Sequence, residues 1–232
     1  MAKHSALKDS GYPLDFMAEL WSALSAQGQI MRDFLPRQRH ERGFTLIELL
    51  VTIAVMAIIM GLAVPSFMST MAGARLTAAA NELLAAIQYT RSEAIRRDVR
   101  VTLCKAGHAS NQCETAAATS WGHGWMNFTD PATQTPPQVD AGSSILVRGG
   151  GHLAPDIVIA GGSSSATALY VSFTPDGVSK LMNGGFLAGT IRVCSTSSSL
   201  DNDHRARDIV INSTGRAVIQ RPTGIAATCP SP

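Results

Sequence analysis

Residues Phe44 to Phe67 read FTLIELLVTIAVMAIIMGLAVPSF, an apolar run that carries one charge, Glu48. A helix rises 1.5 Å per residue, so about 20 residues cross the hydrocarbon core of a bilayer. The run is long enough to do so. An ionised side chain at that depth costs about 2.5–3.5 kcal/mol on insertion scales. A carboxylate kept there is expected to have a partner and a purpose. The run holds no cation to pair with it, so the partner is expected from another chain. Two plainer readings compete: an ordinary anchor, or a secretory signal cut at Ala72-Gly73-Ala74. A signal core is usually about 7–15 residues, shorter than this run. Arg37, Arg39 and Arg42 precede it and place that side in the cytoplasm by the positive-inside rule.

The chain beyond the run is nearly neutral. From Met68 onward there are 13 Lys and Arg against 11 Asp and Glu, and charged residues make up 16% of the chain. That balance excludes a strongly basic, whole-domain nucleic-acid footprint. Cys104, Cys113, Cys194 and Cys229 all lie beyond the run. An even number of cysteines in an oxidising compartment reads as two disulfides, with three pairings open. Cys104–Cys113 and Cys194–Cys229 are favoured because each closes a local loop. The second would staple the tail to the body.

Helical character continues past the run. Arg75 to Ile87 is rich in Ala and Leu, which favour helix. Leu76, Ala80, Leu83, Leu84, Ile87 and Ile95 recur at helical spacing, giving one apolar stripe. Arg91, Arg96 and Arg97 suit the negative end of the helix dipole. A helix from about Phe44 to Arg97 is expected, apolar all round at first and amphipathic later, with a proline, Pro65, that kinks or loosens it. From Val99 the pattern turns to short strands: Arg100–Cys104, Gly124–Phe128, Ser144–Val147, Ile157–Ile159, Ala168–Phe173, Thr190–Cys194, Asp208–Ile211 and Arg216–Gln220. Turn signals separate them, among them Gly149-Gly150-Gly151, Asp176-Gly177 and Thr214-Gly215. Residues 129–143 are expected to form a mobile loop. One long helix followed by short antiparallel strands is an α+β layout.

No catalytic constellation is evident, and no cofactor or metal is expected. His108, His123, His152 and His204 fit no zinc spacing. The Gly-rich stretches lack a P-loop Lys-Ser/Thr pair. Ser163-Ser164-Ser165 and Ser197-Ser198-Ser199 read as loops. Asp201-Asn202-Asp203 lacks the bidentate glutamate of a calcium loop. Trp121 and Trp125 read as core or a hairpin pair rather than a ligand platform.

The stretch GFTLIELLVTIAVMAIIMGLAVPSF closely resembles the N-terminus of type IV pilins and type II secretion pseudopilins. The resemblance implies cleavage by a prepilin peptidase after Gly43 and N-methylation of Phe44. It also implies that Glu48, fifth in the mature chain, pairs with the terminal ammonium of a neighbouring subunit. The leader is long for this class. Initiation at Met31 would leave MRDFLPRQRHERG, a short basic leader, so residues 1–30 are expected to be an extension or to precede the true start. The expected divisions are a leader over 1–43, a membrane and fibre-core helix over 44–67, its amphipathic continuation over 68–98, and a β-rich head over 99–232.

The head resembles the FimT/FimU minor pilins and related GspH pseudopilins. Tyr89-Thr90-Arg91-Ser92-Glu93-Ala94-Ile95 is similar to their ARSEA segment, Trp121-Gly122-His123-Gly124-Trp125 to their W-x-x-G-W element, and Phe173-Thr174-Pro175-Asp176-Gly177 to their F-x-x-x-G turn. Arg192-Val193-Cys194, Ala206 to Ile211 and Gly215-Arg216 resemble their C-terminal strands. This implies a type IV pilin-like fold and a non-enzymatic minor pilin in a tip complex that primes pilus assembly. Its partners would be other minor pilins, the major pilin, the prepilin peptidase and the inner-membrane assembly platform, with its head in the periplasm. The alternatives are a GspH-type pseudopilin and a DNA receptor. Some FimT proteins bind DNA through a GRxR motif. Here Gly215-Arg216-Ala217-Val218 lacks the second arginine, and Arg221 falls on the opposite side of an extended strand. Arg205 and Arg207 add charge, and four phosphate contacts would suit weak, salt-sensitive binding to double-stranded DNA.

Overall fold

A computed structural model describes residues 43–107, 111–116, 120–131, 134–150, 153–163 and 165–232. The expected leader ahead of Gly43, with its arginines, together with His108, His152, Gly151 and Ser164, lies outside the described residues. Two units divide the chain, Met1–Val55 and Met56–Pro232.

A long helix, α1, runs Leu46–Arg97. Thr45 caps it: the Glu48 N–H donates to Thr45 Oγ1 at 3.3 Å, one half of a capping box. Asp98 ends it with φ +54°, the left-handed conformation usual just past a helix C-terminus. Pro65 lies inside the helix without terminating it. From Leu46 to Phe67 the large apolar side chains are exposed, and this part is long and apolar enough to cross a membrane. Beyond it one face is buried: Ala72, Leu76, Ala79, Ala80, Leu83, Ile87, Thr90 and Ala94 alternate by three and four residues. Ile95 departs from the expected stripe. It is 53% exposed, because Ala94 takes the inward position on that turn.

Eight strands follow: β1 (Val101–Lys105), β2 (Trp125–Thr129), β3 (Ile145–Gly149), β4 (Ile157–Gly161), β5 (Tyr170–Phe173), β6 (Gly189–Ser195), β7 (Ala206–Ile211) and β8 (Ala217–Gln220). They make two four-stranded antiparallel sheets, ordered β3-β2-β1-β5 and β4-β6-β7-β8. The expected strand over Ala168–Phe173 is shorter. Ser165 caps a 3-10 turn over Ala166–Ala168 by accepting from Thr167 N–H, and the strand starts at Tyr170. Every residue of β1 and β2 is buried, as in a central pair covered on both faces, whereas edge strand β3 is largely open. The main core joins the buried face of α1 to both sheets and includes Trp121, Trp125, Phe128 and Phe173.

Two disulfides are formed, Cys104–Cys113 and Cys194–Cys229. The first holds the loop after β1. Gln112 in that loop exchanges two hydrogen bonds with the backbone of Val139, at 3.0 and 3.1 Å. These bonds and a buried Pro137 connect the described part of the expected 129–143 loop to the body.

Candidate functional site

At the start of α1, Phe44 is 74% exposed and Glu48 is also exposed. Glu48 stands in the first turn, where unpaired N–H groups favour a carboxylate. Among the described residues Glu48 forms no ion pair.

The four C-terminal arginines fall into different environments. Arg205 is buried and spends its guanidinium on the chain's own carbonyls, those of Ser195 at 3.1 Å, Ser197 at 3.3 Å and Leu200. Arg207 is buried likewise and donates to the carbonyls of His204 and Ala206. Burial, and then the nearby Arg221 charge, pull Arg207 below the usual arginine value. Burial thus turns the N–H groups of Arg205 and Arg207, expected as phosphate contacts, onto internal acceptors. Arg216 and Arg221 are exposed at opposite ends of β8. Arg221 sits beside Arg207, while Arg216 lines a cleft with Arg91 of α1.

That cleft is where three separate stretches meet. Arg91 and Ile95 come from the helix, Gly177 from the turn after β5, and Gly215-Arg216 from the turn before β8. The guanidinium of Arg91 donates to the Thr214 carbonyl at 3.4 Å. Nothing in the sequence marks Arg91 as a site residue, although the segment containing it stands out. Helical spacing says only that it is off the apolar stripe.

Most other acids and bases are already engaged. Glu93, 6% exposed, accepts from Arg96 at 2.9 and 2.6 Å and from Arg97 at 2.6 Å, and these bonds lower its carboxyl to about 2. Arg192 on β6 and Asp208 on β7 face each other across the ladder in a bidentate pair at 2.8 Å. Asp201 accepts from Asp203 N–H and pairs with His204 at 2.6 Å, and Asp203 accepts from Gly224 N–H. These carboxylates shape a turn. Ser197 and Ser199 hydrogen-bond to each other at 2.8 Å. Trp121 and Trp125 are buried in the core, and the indole N–H of Trp121 donates to the Thr167 carbonyl at 3.2 Å. Among the described residues no group of three or more His, Cys, Asp or Glu is placed to hold a metal.

A helix bearing a methylation-type N-terminus, packed on antiparallel sheets by its second half, is the layout of the type IV minor pilins and pseudopilins. The chain matches the family described as Type II transport protein GspH over residues 79–215, more than half of its length, and the prokaryotic N-terminal methylation motif over residues 38–64. It belongs to the GspH family. No curated protein matches it. Two crystal structures of the type IV minor pilin FimU from Pseudomonas aeruginosa are similar. One is 22% identical with a TM-score of 0.40, covering 64% of this chain and 89% of that one. The other is 19% identical with a TM-score of 0.41, covering 65% and 99%.

Proposed function

We propose that this chain is a minor pilin that joins a tip complex and primes assembly of a type IV pilus. In this reading a prepilin peptidase cuts after Gly43, Phe44 becomes the methylated N-terminus, and the mature chain waits in the inner membrane with its head in the periplasm. The observation that carries the reading is one carboxylate, Glu48, in the first turn of a helix that, as far as Phe67, has no other charge and is exposed. In hydrocarbon an ammonium and a carboxylate each remove the other's desolvation cost, so docking of a neighbour's Phe44 amine on Glu48 favours transfer of the helix from lipid into a fibre.

The second reading, a pseudopilin of type II secretion, is favoured by the family match itself, whose description is a type II transport protein. A DNA-receptor role has less support, since Arg205 and Arg207 are turned inward and leave Arg216 and Arg221 at opposite ends of β8.

Glu48→Ala tests the assembly role in the native host. The variant is expected to be processed and inserted normally, yet missing from fibres sheared off the cell surface. Normal incorporation would sink the pairing. Gly43→Arg is expected to leave the chain at its unprocessed mass. Deleting the gene separates the machines: loss of surface fibres supports the pilus, and retention of exoproteins in the periplasm supports the secretion system.

A further inference from the structure

Arg91 and Arg216 line one open cleft of about 550 Å³. Gln88 and Ser92 add polar groups to its wall, and Ile95 and Val218 add apolar ones. Among the described residues neither arginine forms an ion pair, whereas Arg96, Arg97 and Arg192 are each held by a carboxylate. The Nε of Arg91 is shut off from solvent and has no hydrogen-bond partner. The Nη2 of Arg91 donates to the Thr214 carbonyl at 3.4 Å, a long bond, and on the open side of the cleft an anionic acceptor would suit the two guanidiniums best.

Two glycines pack closely behind Arg91. Gly177 has φ +73° and Gly215 φ +80°. A Cβ on Gly177 would stand 2.9 Å from Ile95 Cδ1 and 3.2 Å from Arg91 Nε. A Cβ on Gly215 would stand 3.4 Å from Arg91 Nε and collide with the Gly177 carbonyl. The two turns therefore close against the inner side of Arg91, and a side chain at either glycine would displace it.

We propose that this cleft is the receptor for a carboxylate of a neighbouring pilin subunit, an Asp or Glu side chain whose aliphatic neighbour covers Ile95. The proposal rests on the reading of the chain as an assembling pilin. A guanidinium pair takes carboxylate or phosphate equally well, and the surroundings decide between them. Duplex binding needs several cations spread along a backbone. Here Arg205 and Arg207 are internal, and Arg221 lies beside Arg207, away from the cleft. Two arginines in a partly apolar recess instead suit one carboxylate, whose attraction is strengthened where water is displaced. Ile95, 53% exposed at the rim, is apolar surface that such a partner would cover.

The test uses the full chain in fibre-producing cells, with a photo-crosslinking phenylalanine analogue in place of Ile95. The adduct is expected to map to another pilin, within a residue or two of an Asp or Glu. Arg91→Gln with Arg216→Gln should cut its yield by about tenfold or more, the size of a lost charge-assisted pair. Levels of mature, disulfide-bonded chain should stay unchanged. Arg216→Gln alone, at an exposed position, keeps the test valid if the double variant misfolds. Pairing Arg216→Glu with an acid-to-arginine change in the partner should restore the adduct. An undiminished yield in the arginine variants, an adduct to a segment without a carboxylate, or an adduct to DNA overturns the proposal. So does a chain present in the fibre that gives no adduct, which leaves the pilin reading standing. A chain absent from the fibre overturns both.

Discussion

Glu93 is nearly buried yet ionised, because Arg96 and then Arg97 hydrogen-bond to it and bring its carboxyl to about 2 from an ordinary 4.5. A carboxyl lowered on folding stabilises the native state fully above its unfolded value, near 4.5, and the benefit disappears as pH falls through about 2. The unfolding midpoint of the folded chain is therefore expected to drop between these pH values. In Glu93→Gln that part of the slope should flatten, and an unchanged profile would refute the assignment. Buried arginines obey the same accounting of partners. Arg205 and Arg207 look in the sequence like a basic tail. Their side chains satisfy carbonyls no more than ten residues from themselves, a choice that spacing does not reveal. Arg91 is the converse case, ordinary in sequence yet placed with its Nε buried and without an acceptor.

Among the elements, α1 carries two surfaces in succession. Up to Phe67 its apolar side chains are all exposed, and from Ala72 it buries one stripe against both sheets. Leu83 is fully buried in that stripe, so Leu83→Ala is expected to cost about 2–5 kcal/mol. Ile95→Ala, on an exposed site, should change stability by no more than about 0.5 kcal/mol. Denaturant unfolding of the two variants checks both, and equal losses would show that the helix packs by another face. The helix, its face and the strands were legible because periods of 3.6 and 2 are local properties of the backbone. The exceptions mark where a cap or a close neighbour intervened. Ser165 turned the start of one expected strand into a 3-10 turn, and Ala94 took the inward place assigned to Ile95.

At the scale of the whole molecule, Cys194–Cys229 joins β6 to the tail and spans 35 residues. It anchors a small separate cluster with Ala206, against which Val158 and Ile225 pack. Closing a loop of that length is worth about 3–4 kcal/mol. Cys194→Ala with Cys229→Ala is expected to lose about that much and to open the tail around Ile225 to thermolysin. A midpoint and digestion pattern like those of the parent would show the tail to be held by packing alone.

Sequence by itself determined the membrane-length helix with its single carboxylate, the amphipathic continuation and the β-rich head. Each is written in composition or in short-range periodicity, which depend on neighbours in the chain. Only the tertiary structure decided that eight strands form two sheets, that two of four tail arginines face inward, and that Arg91, Gly177 and Gly215-Arg216 surround one cleft. Those residues are brought together by the docking of the helix and two turns separated by tens of residues. Contacts of that range follow from how the whole core closes, and no local pattern encodes them.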